Sequence, residues 1–255
     1  MKHLQNLLLT LTFMALHNFG FAWGFAGHKI SGAIAAKYIT PAAKDSLAVY
    51  LGGVSMSETA AWMETVRADK TYDYLKPFHY VNVEKGKEYD TSSHGNIISE
   101  LNIVMDELRN RAKYSKEHTA TNLRILFDLV GDLHQPLNVG YPADRGGNNV
   151  AVTFLNRPSN LHRVWHYDII EQYGISYESS LGKITGMPQK KLEALKPIDF
   201  IAWMNESREL LPQVYDFSNP KIDAAYCNKN KPVIEKQLAI SGYRLAEILN
   251  EVFAK

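Results

Sequence analysis

Asp128 and Asp132 stand four residues apart in an apolar run, Arg124-Ile-Leu-Phe-Asp-Leu-Val-Gly-Asp-Leu-His134. Residues at i and i+4 lie one above the other on a helix, with Cβ atoms roughly 6 Å apart. Leu126, Phe127, Leu129 and Val130 make that helix apolar on most sides, so it is expected to be buried, and a buried carboxylate needs a partner or a cation. A solvated acidic helix end is the plain alternative, which the apolar neighbours oppose. Pro136 forbids continuation of the helix, so two carboxylates and His134 emerge together at its end. The chemistry this pattern fits is metal binding.

Other residue types with that chemistry are scattered along the chain. His162 and His166 have the i, i+4 spacing of a metal-ligand pair, although two surface histidines share it. Glu64 and Arg67 at i, i+3 describe a surface ion pair as readily as a site. His79, within Pro77-Phe-His-Tyr-Val-Asn-Val83, reads on its own as a packed histidine among aromatics. Arg145-Gly146-Gly147 is not a phosphate loop, because it lacks the Lys-Ser/Thr of such a loop.

Helices are expected to position these groups. One runs from His28 to Tyr38, and Thr40-Pro41 caps a second that reaches about Leu51. Ser55 with Glu58 opens a third, which carries Trp62, Glu64 and Arg67. Pro77 to Val83 reads as extended, and a structural helix is expected from about His94 to Ala112. Val150, Val152 and Phe154 alternate like one arm of a small hairpin, after which Asn160 caps the helix bearing His162 and His166. Two long amphipathic helices are expected at Pro197–Tyr215 and Pro232–Phe253. No repeat, low-complexity tract or linker interrupts this order, so one large domain is expected from residue 23 to 255.

Residues 1–22 read as a removable signal peptide: Lys2 is basic, Leu7 to Leu16 is apolar, and Gly20-Phe-Ala22 is a cleavage site. The apolar run is too short to favour a membrane span. Its removal takes one lysine and no acid from 28 basic and 27 acidic residues, leaving a formal charge of zero. That excludes binding of nucleic acid through a broad basic face, and steering to anionic lipid. The single cysteine, Cys227, cannot form an internal disulfide; export without disulfides points to a bacterial periplasm or secretion. Cleavage would leave Trp23 first. Its α-amine, largely neutral at about pH 8, can ligate zinc, whereas the plain reading of Trp23 is a hydrophobic plug.

The order of the motifs is more specific than any of them. Trp23-Gly-x-x-Gly-His28, A-x-W with an acid and arginine, F-H-Y, G-D-L-H-Q-P-L, D-R-G-G-N, N-L-H-x-x-W and S-G-Y-R-L-A succeed one another along the chain. Together they resemble the zinc nucleases of the fungal S-one/P-one type, which prefer single strands, and their bacterial relatives. The resemblance implies an all-α, single mainly helical domain with a small β-hairpin and three zinc ions at the base of a cleft. It implies that Trp23 and His28 bind one ion of a pair and that Asp132 bridges to the other, which Glu64, His79 and Asp128 complete. Asn138, His162 and His166 fall where the third ion is held. Arg67 matches an arginine that neutralises the transferring phosphate, while Tyr80 and Asn82 fall at substrate-binding positions, Tyr80 as a base-stacking ring. Asp132, Arg67 and Glu64 are thus the implied catalytic set.

Four of the implied ligands depart from the family pattern: Glu64 for aspartate, Asp128 for histidine, Asn138 for histidine and His166 for aspartate. A carboxamide is a poor zinc ligand and suits harder cations. The third site is therefore expected to be weak, to recruit His134, or to hold another metal. The implied activity is endonucleolytic hydrolysis of single-stranded DNA or RNA to 5′-phosphate products by a monomer without stable membrane association, a role in nucleic-acid breakdown. The rival readings are a zinc phospholipase C-like lipid phosphodiesterase and a catalytically degenerate periplasmic protein that binds metal or oligonucleotide.

Overall fold

The computed structural model describes residues 23–254, so the expected signal peptide lies outside the described residues. Helices α1 (Phe25–Tyr38), α2 (Pro41–Leu51), α3 (Met56–Ala60) and α4 (Trp62–Val66) come first. A 3-10 helix (Lys70–His79) leads to α5 (Ile97–Arg109) and α6 (Lys116–Leu133). After strands β1 (Ala151–Phe154) and β2 (Arg157–Asn160), α7 (Leu161–Arg163) passes through a π-helical turn, Val164–Asp168, into α8 (Ile169–Gln172). The rest is α9 (Tyr177–Thr185), α10 (Gln189–Glu193), α11 (Phe200–Arg208), α12 (Leu211–Val214), β3 (Lys221–Ile222) and α13 (Ala224–Val252). The expected fold class, mainly helical with a small β-hairpin, is what is found.

Local chemistry accounts for most element starts. Thr40 accepts from the amide of Ala43 with Pro41 in the first turn, Ser115 accepts from His118 N, and Asn160 Oδ1 accepts from Arg163 N at 2.7 Å. Each satisfies an amide that the helix leaves unpaired. Asn96 and Ser99 form a full capping box, which starts α5 at Ile97 rather than at His94.

The structure corrects several expected boundaries. The third helix breaks at Ala61 into α3 and α4. Residues 77–79 end the 3-10 helix, and only the chain beyond them is extended, with Val81 N bonded to Asn138 O at 2.9 Å and Val83 N to Gly140 O at 3.1 Å. The helix expected over Pro197–Tyr215 is the pair α11 and α12. Pro232 lies inside α13, which starts eight residues earlier because Asp223 caps it and Tyr226, Cys227 and Asn230 anchor its first turns in the core. The hairpin gains a third strand: β1 pairs antiparallel with β2 (Ala151↔Asn160 to Phe154↔Arg157) and parallel with β3 (Thr153↔Lys221).

The core has two parts. One surrounds α5, α6 and the end of α13 through Leu101, Leu126, Leu129 and Leu249. The other gathers Trp23, Ile34, Trp165, Ile169 and Leu238. Helix α1 lies against α3 and α13, with Ser31 and Ser241 hydroxyls 2.9 Å apart.

The C-terminal end of α6 receives unusual attention. Val130 O accepts from His134 Nδ1 at 2.7 Å, Leu133 O from Ser207 Oγ at 2.8 Å, and His134 O from Gln237 Nε2 at 2.9 Å. Arg208 ties down the chain beyond α6, donating to Val139 O, to Gly140 O at 3.0 Å and to Val83 O at 2.9 Å. Replacing Arg208 by Met leaves these carbonyls without their charged donor and is expected to cost about 2 kcal/mol. Thermal unfolding is the check: a midpoint about 4–8 °C lower is expected.

Candidate metal centre

Asp128 and Asp132 are both buried on α6, as their spacing requires. His28, from α1, places Nε2 3.2 Å from Asp132 Oδ1 and 3.8 Å from Asp128 Oδ2. His79, at the end of the 3-10 helix, places Nδ1 2.7 Å from Asp132 Oδ2 and 3.2 Å from Asp128 Oδ1. Each imidazole thus faces both carboxylates. The ligand atoms of His28, Asp128 and Asp132 lie within 4.8 Å of one another, the spacing of a metal-binding group.

Two backbone approaches make this packing feasible. A Cβ at Gly131 would lie 2.8 Å from His28 Nδ1, so glycine is what lets the ring rest on α6. Gly146 has φ 59° and carries its Cα so close to Leu137 that a Cβ would meet Leu137 O at 2.1 Å. Its carbonyl accepts from His162 Nδ1 at 2.8 Å, which turns Nε2 of that ring inward. The Gly-Gly pair is therefore a turn that orients the His162 ring, a role its sequence alone did not disclose.

The electrostatics explain why a cation belongs here. Burial alone would lower both His28 and His79, but Asp128 and Asp132 outweigh it and raise them to about 9 and about 10. Burial raises Asp128 to about 6, whereas Asp132, despite its burial, is lowered by the close approach of His28 and by its hydrogen bond with His79. The field that favours a proton on these rings equally favours a metal ion between them. His162 and His166 behave oppositely, burial lowering His162 to about 4 and His166 well below its usual value. They are neutral imidazoles, the form that ligates.

More than half of the buried side-chain nitrogens and oxygens without a hydrogen-bond partner, among the described residues, belong to His28, Asp128, Asp132, His162 and His166. Such atoms are costly to bury unless a bound cation satisfies them. The donor set, imidazole nitrogens with carboxylate oxygens, fits a divalent transition metal.

The other expected site residues surround this cluster. Trp23 is fully buried, and Gly24 N donates to His166 O at 3.0 Å, bringing the start of the described chain to the His162–His166 segment. Glu64 sits beside Arg67, at 3.7 Å, and accepts from the Tyr167 hydroxyl at 3.0 Å. Glu64, Arg67 and His79 line one open pocket with Tyr72 and Lys76. Tyr80 is exposed at the surface, and Asn82 keeps a buried Oδ1. Asn138 is buried, but its Nδ2 donates to Asp132 O at 3.2 Å, so its amino group braces α6. The expected recruitment of His134 is overturned: Nδ1 is bonded to Val130 O, Nε2 faces Arg244 Nη1 at 2.9 Å, and the ring has no nitrogen left for a metal.

A mainly helical protein with buried histidines and carboxylates converging near a helix end has a site fit for a divalent metal ion. Residues 23–254 match the S1/P1 Nuclease family, and the chain belongs to it, as a hydrolase acting on phosphodiester bonds. It is 29% identical to Endonuclease 3 of Arabidopsis thaliana over 97% of this chain and 94% of that one. Nuclease S1 of Aspergillus oryzae is 25% identical over 93% and 94% of the two chains. Nuclease P1 of Penicillium citrinum is 25% identical over 90% and 97%.

Two outcomes are expected from this geometry. Gly131→Ala should strengthen an isolated helix by about 1 kcal/mol, yet it is expected to displace His28 and to weaken metal binding, measured by chelator competition. His134 is held down at about 3 by burial and by Arg244, so the unfolded chain takes up a proton below about 6.5 that the folded chain refuses. Stability is therefore expected to fall on acidification by about 1.4 kcal/mol per pH unit from this ring. In urea unfolding between about pH 6.5 and 4.5, His134→Gln should flatten that dependence.

Proposed function

We propose that the chain is an endonuclease that hydrolyses single-stranded DNA or RNA to 5′-phosphate products with bound zinc, and that residues 23–255 act as one catalytic domain once residues 1–22 are removed on export. The observation that carries this reading is the convergence of buried, partnerless imidazole and carboxylate atoms of His28, Asp128, Asp132, His162 and His166 in a chain of the nuclease family.

Asp132 faces both His28 and His79 and is the residue suited to bridge two ions, with Trp23 and His28 on one side and Glu64, His79 and Asp128 on the other. His162, His166 and Asn138 would hold a third. When bound, zinc ions supply water activation near neutral pH and positive charge for a phosphate under attack. Asn138 is the weak member, and the acid-rich pair also suits manganese.

The chain's own groups supply recognition. Arg67 lines the pocket beside Glu64 and His79 and would offset charge on the equatorial phosphate oxygens. Tyr80, 41% exposed, offers a ring on which a base free of a duplex can stack, worth roughly 1–3 kcal/mol. Asn82, next but one along the same extended segment, would hydrogen-bond the base edge. Recognition is local, which agrees with a formally neutral chain that lacks a broad basic face. Among the described residues no helix is long and apolar enough to cross a membrane.

Asp132→Asn is expected to remove bound metal and to lower phosphodiester cleavage by about 10³-fold or more, and Arg67→Ala to lower kcat by about 10²-fold while metal content is kept. Elemental analysis together with assays on single-stranded DNA, RNA and phosphatidylcholine micelles checks both. Turnover of lipid alone would establish the phospholipase reading. Fewer than two bound metals with no cleavage under any added cation would establish a binding protein.

A further inference from the structure

Tyr167 touches three separate parts of the candidate centre. Its hydroxyl donates to Glu64 Oε2 at 3.0 Å across 103 residues of sequence. Its ring stands edge-on to His166, with centroids 4.2 Å apart. The same ring covers Gly24 so closely that a Cβ there would fall 2.4 Å from it. The residue sits in the π-helical turn Val164–Asp168, and the carbonyl of His166 in that turn accepts from Gly24 N at 3.0 Å. An inserted π turn re-aims side chains that a regular helix would point elsewhere, and such turns gather at functional sites.

Glu64 needs such a restraint. It has one more rotatable bond than aspartate, and its side chain is 7% exposed while its Oε2 lies 3.7 Å from Arg67 Nη1. Burial, and then the Glu64 carboxylate, raise the Tyr167 phenol to about 12, so it is a hydrogen-bond donor at any assay pH.

We propose that Tyr167 is a positioning residue that fixes the carboxylate of Glu64 through Oε2, leaving Oε1 to the metal, and that its ring couples this orientation to the docking of Trp23-Gly24. The proposal rests on the reading of Glu64 as a metal ligand. Groups that orient a ligand typically change metal affinity by about 10- to 100-fold when removed.

Tyr167→Phe removes the hydroxyl and keeps the ring, so folding is expected to be unchanged by circular dichroism and melting. Metal affinity, measured on the full mature chain by chelator competition with zinc, is expected to fall by about 10-fold. The visible absorption of the cobalt-substituted protein should change at the same time. In a Glu64→Gln background the Phe substitution should add nothing. Gly24→Ala, which pushes the ring aside, is expected to weaken zinc binding in the same direction. If Tyr167→Phe binds zinc like the parent while Glu64→Gln loses it, the positioning role is wrong and the ligand assignment stands. If Glu64→Gln also binds zinc like the parent, the ligand assignment itself is wrong. An equal loss from Tyr167→Phe with and without Glu64→Gln would show that the tyrosine acts through some other group.

Discussion

Everything in this molecule accommodates two like charges buried four residues apart near the C-terminal end of one helix. The placement is unfavourable three times over: the carboxylates are desolvated, they repel each other, and the helix dipole puts its negative end beside them. Hydrophobic packing cannot offset that, because Leu126, Phe127, Leu129 and Val130 only lower the dielectric around the pair. Relief comes from positive charge brought by other elements. His28 arrives on α1, His79 on a 3-10 helix that an extended segment then leaves, and each faces both aspartates.

The terminal carbonyls of α6 pose the same problem in milder form. They are satisfied by donors from far along the chain, Ser207 from α11 and Gln237 from α13, with Arg244 backing His134 from behind. Arg244 lies over Trp203 at 4.7 Å and pairs with Glu206 at 2.7 Å, so a buried guanidinium is held without entering the candidate site. The signature Ser-Gly-Tyr-Arg-Leu-Ala thus serves the helix that carries the aspartates rather than the chemistry itself. The cluster is closely bonded on the α11 and α13 side and is open beside Arg67 and His79.

The sequence disclosed what depends on near neighbours. The Asp128–Asp132 pair, the Thr40-Pro41 helix start, the Asn160 cap and the alternation of β1 obey rules that act over a few residues. The structure places all four as those rules require. Pro232 misled because a local rule for helix starts yielded to tertiary anchoring. Trp165 Nε1 donates to Tyr226 Oη at 2.7 Å, and that hydroxyl donates to Val214 O, so the helix is secured before the proline is reached. The Tyr167–Glu64 bond and the parallel pairing of β3 had no local signature, since each joins segments separated by tens of residues, and no residue type marks the π turn. His134 failed for a related reason. Its position beside Asp132 in sequence says nothing of the direction of its ring, which an arginine 110 residues away determines.

The tie between Gly24 and the carbonyl of His166, with α1 laid along α13, means that the first described residues are seated by segments far along the chain. On a ribosome the Trp23-Gly24 segment emerges well before the His166-Tyr167 segment on which it docks. Of the four residues at the heart of the cluster, His28 belongs to that early segment and rests on Gly131 of α6, whose end is bonded in turn by Gln237 of α13. The candidate centre is therefore a product of long-range closure: its parts lie far apart in sequence, and few local contacts can hold it before those segments meet.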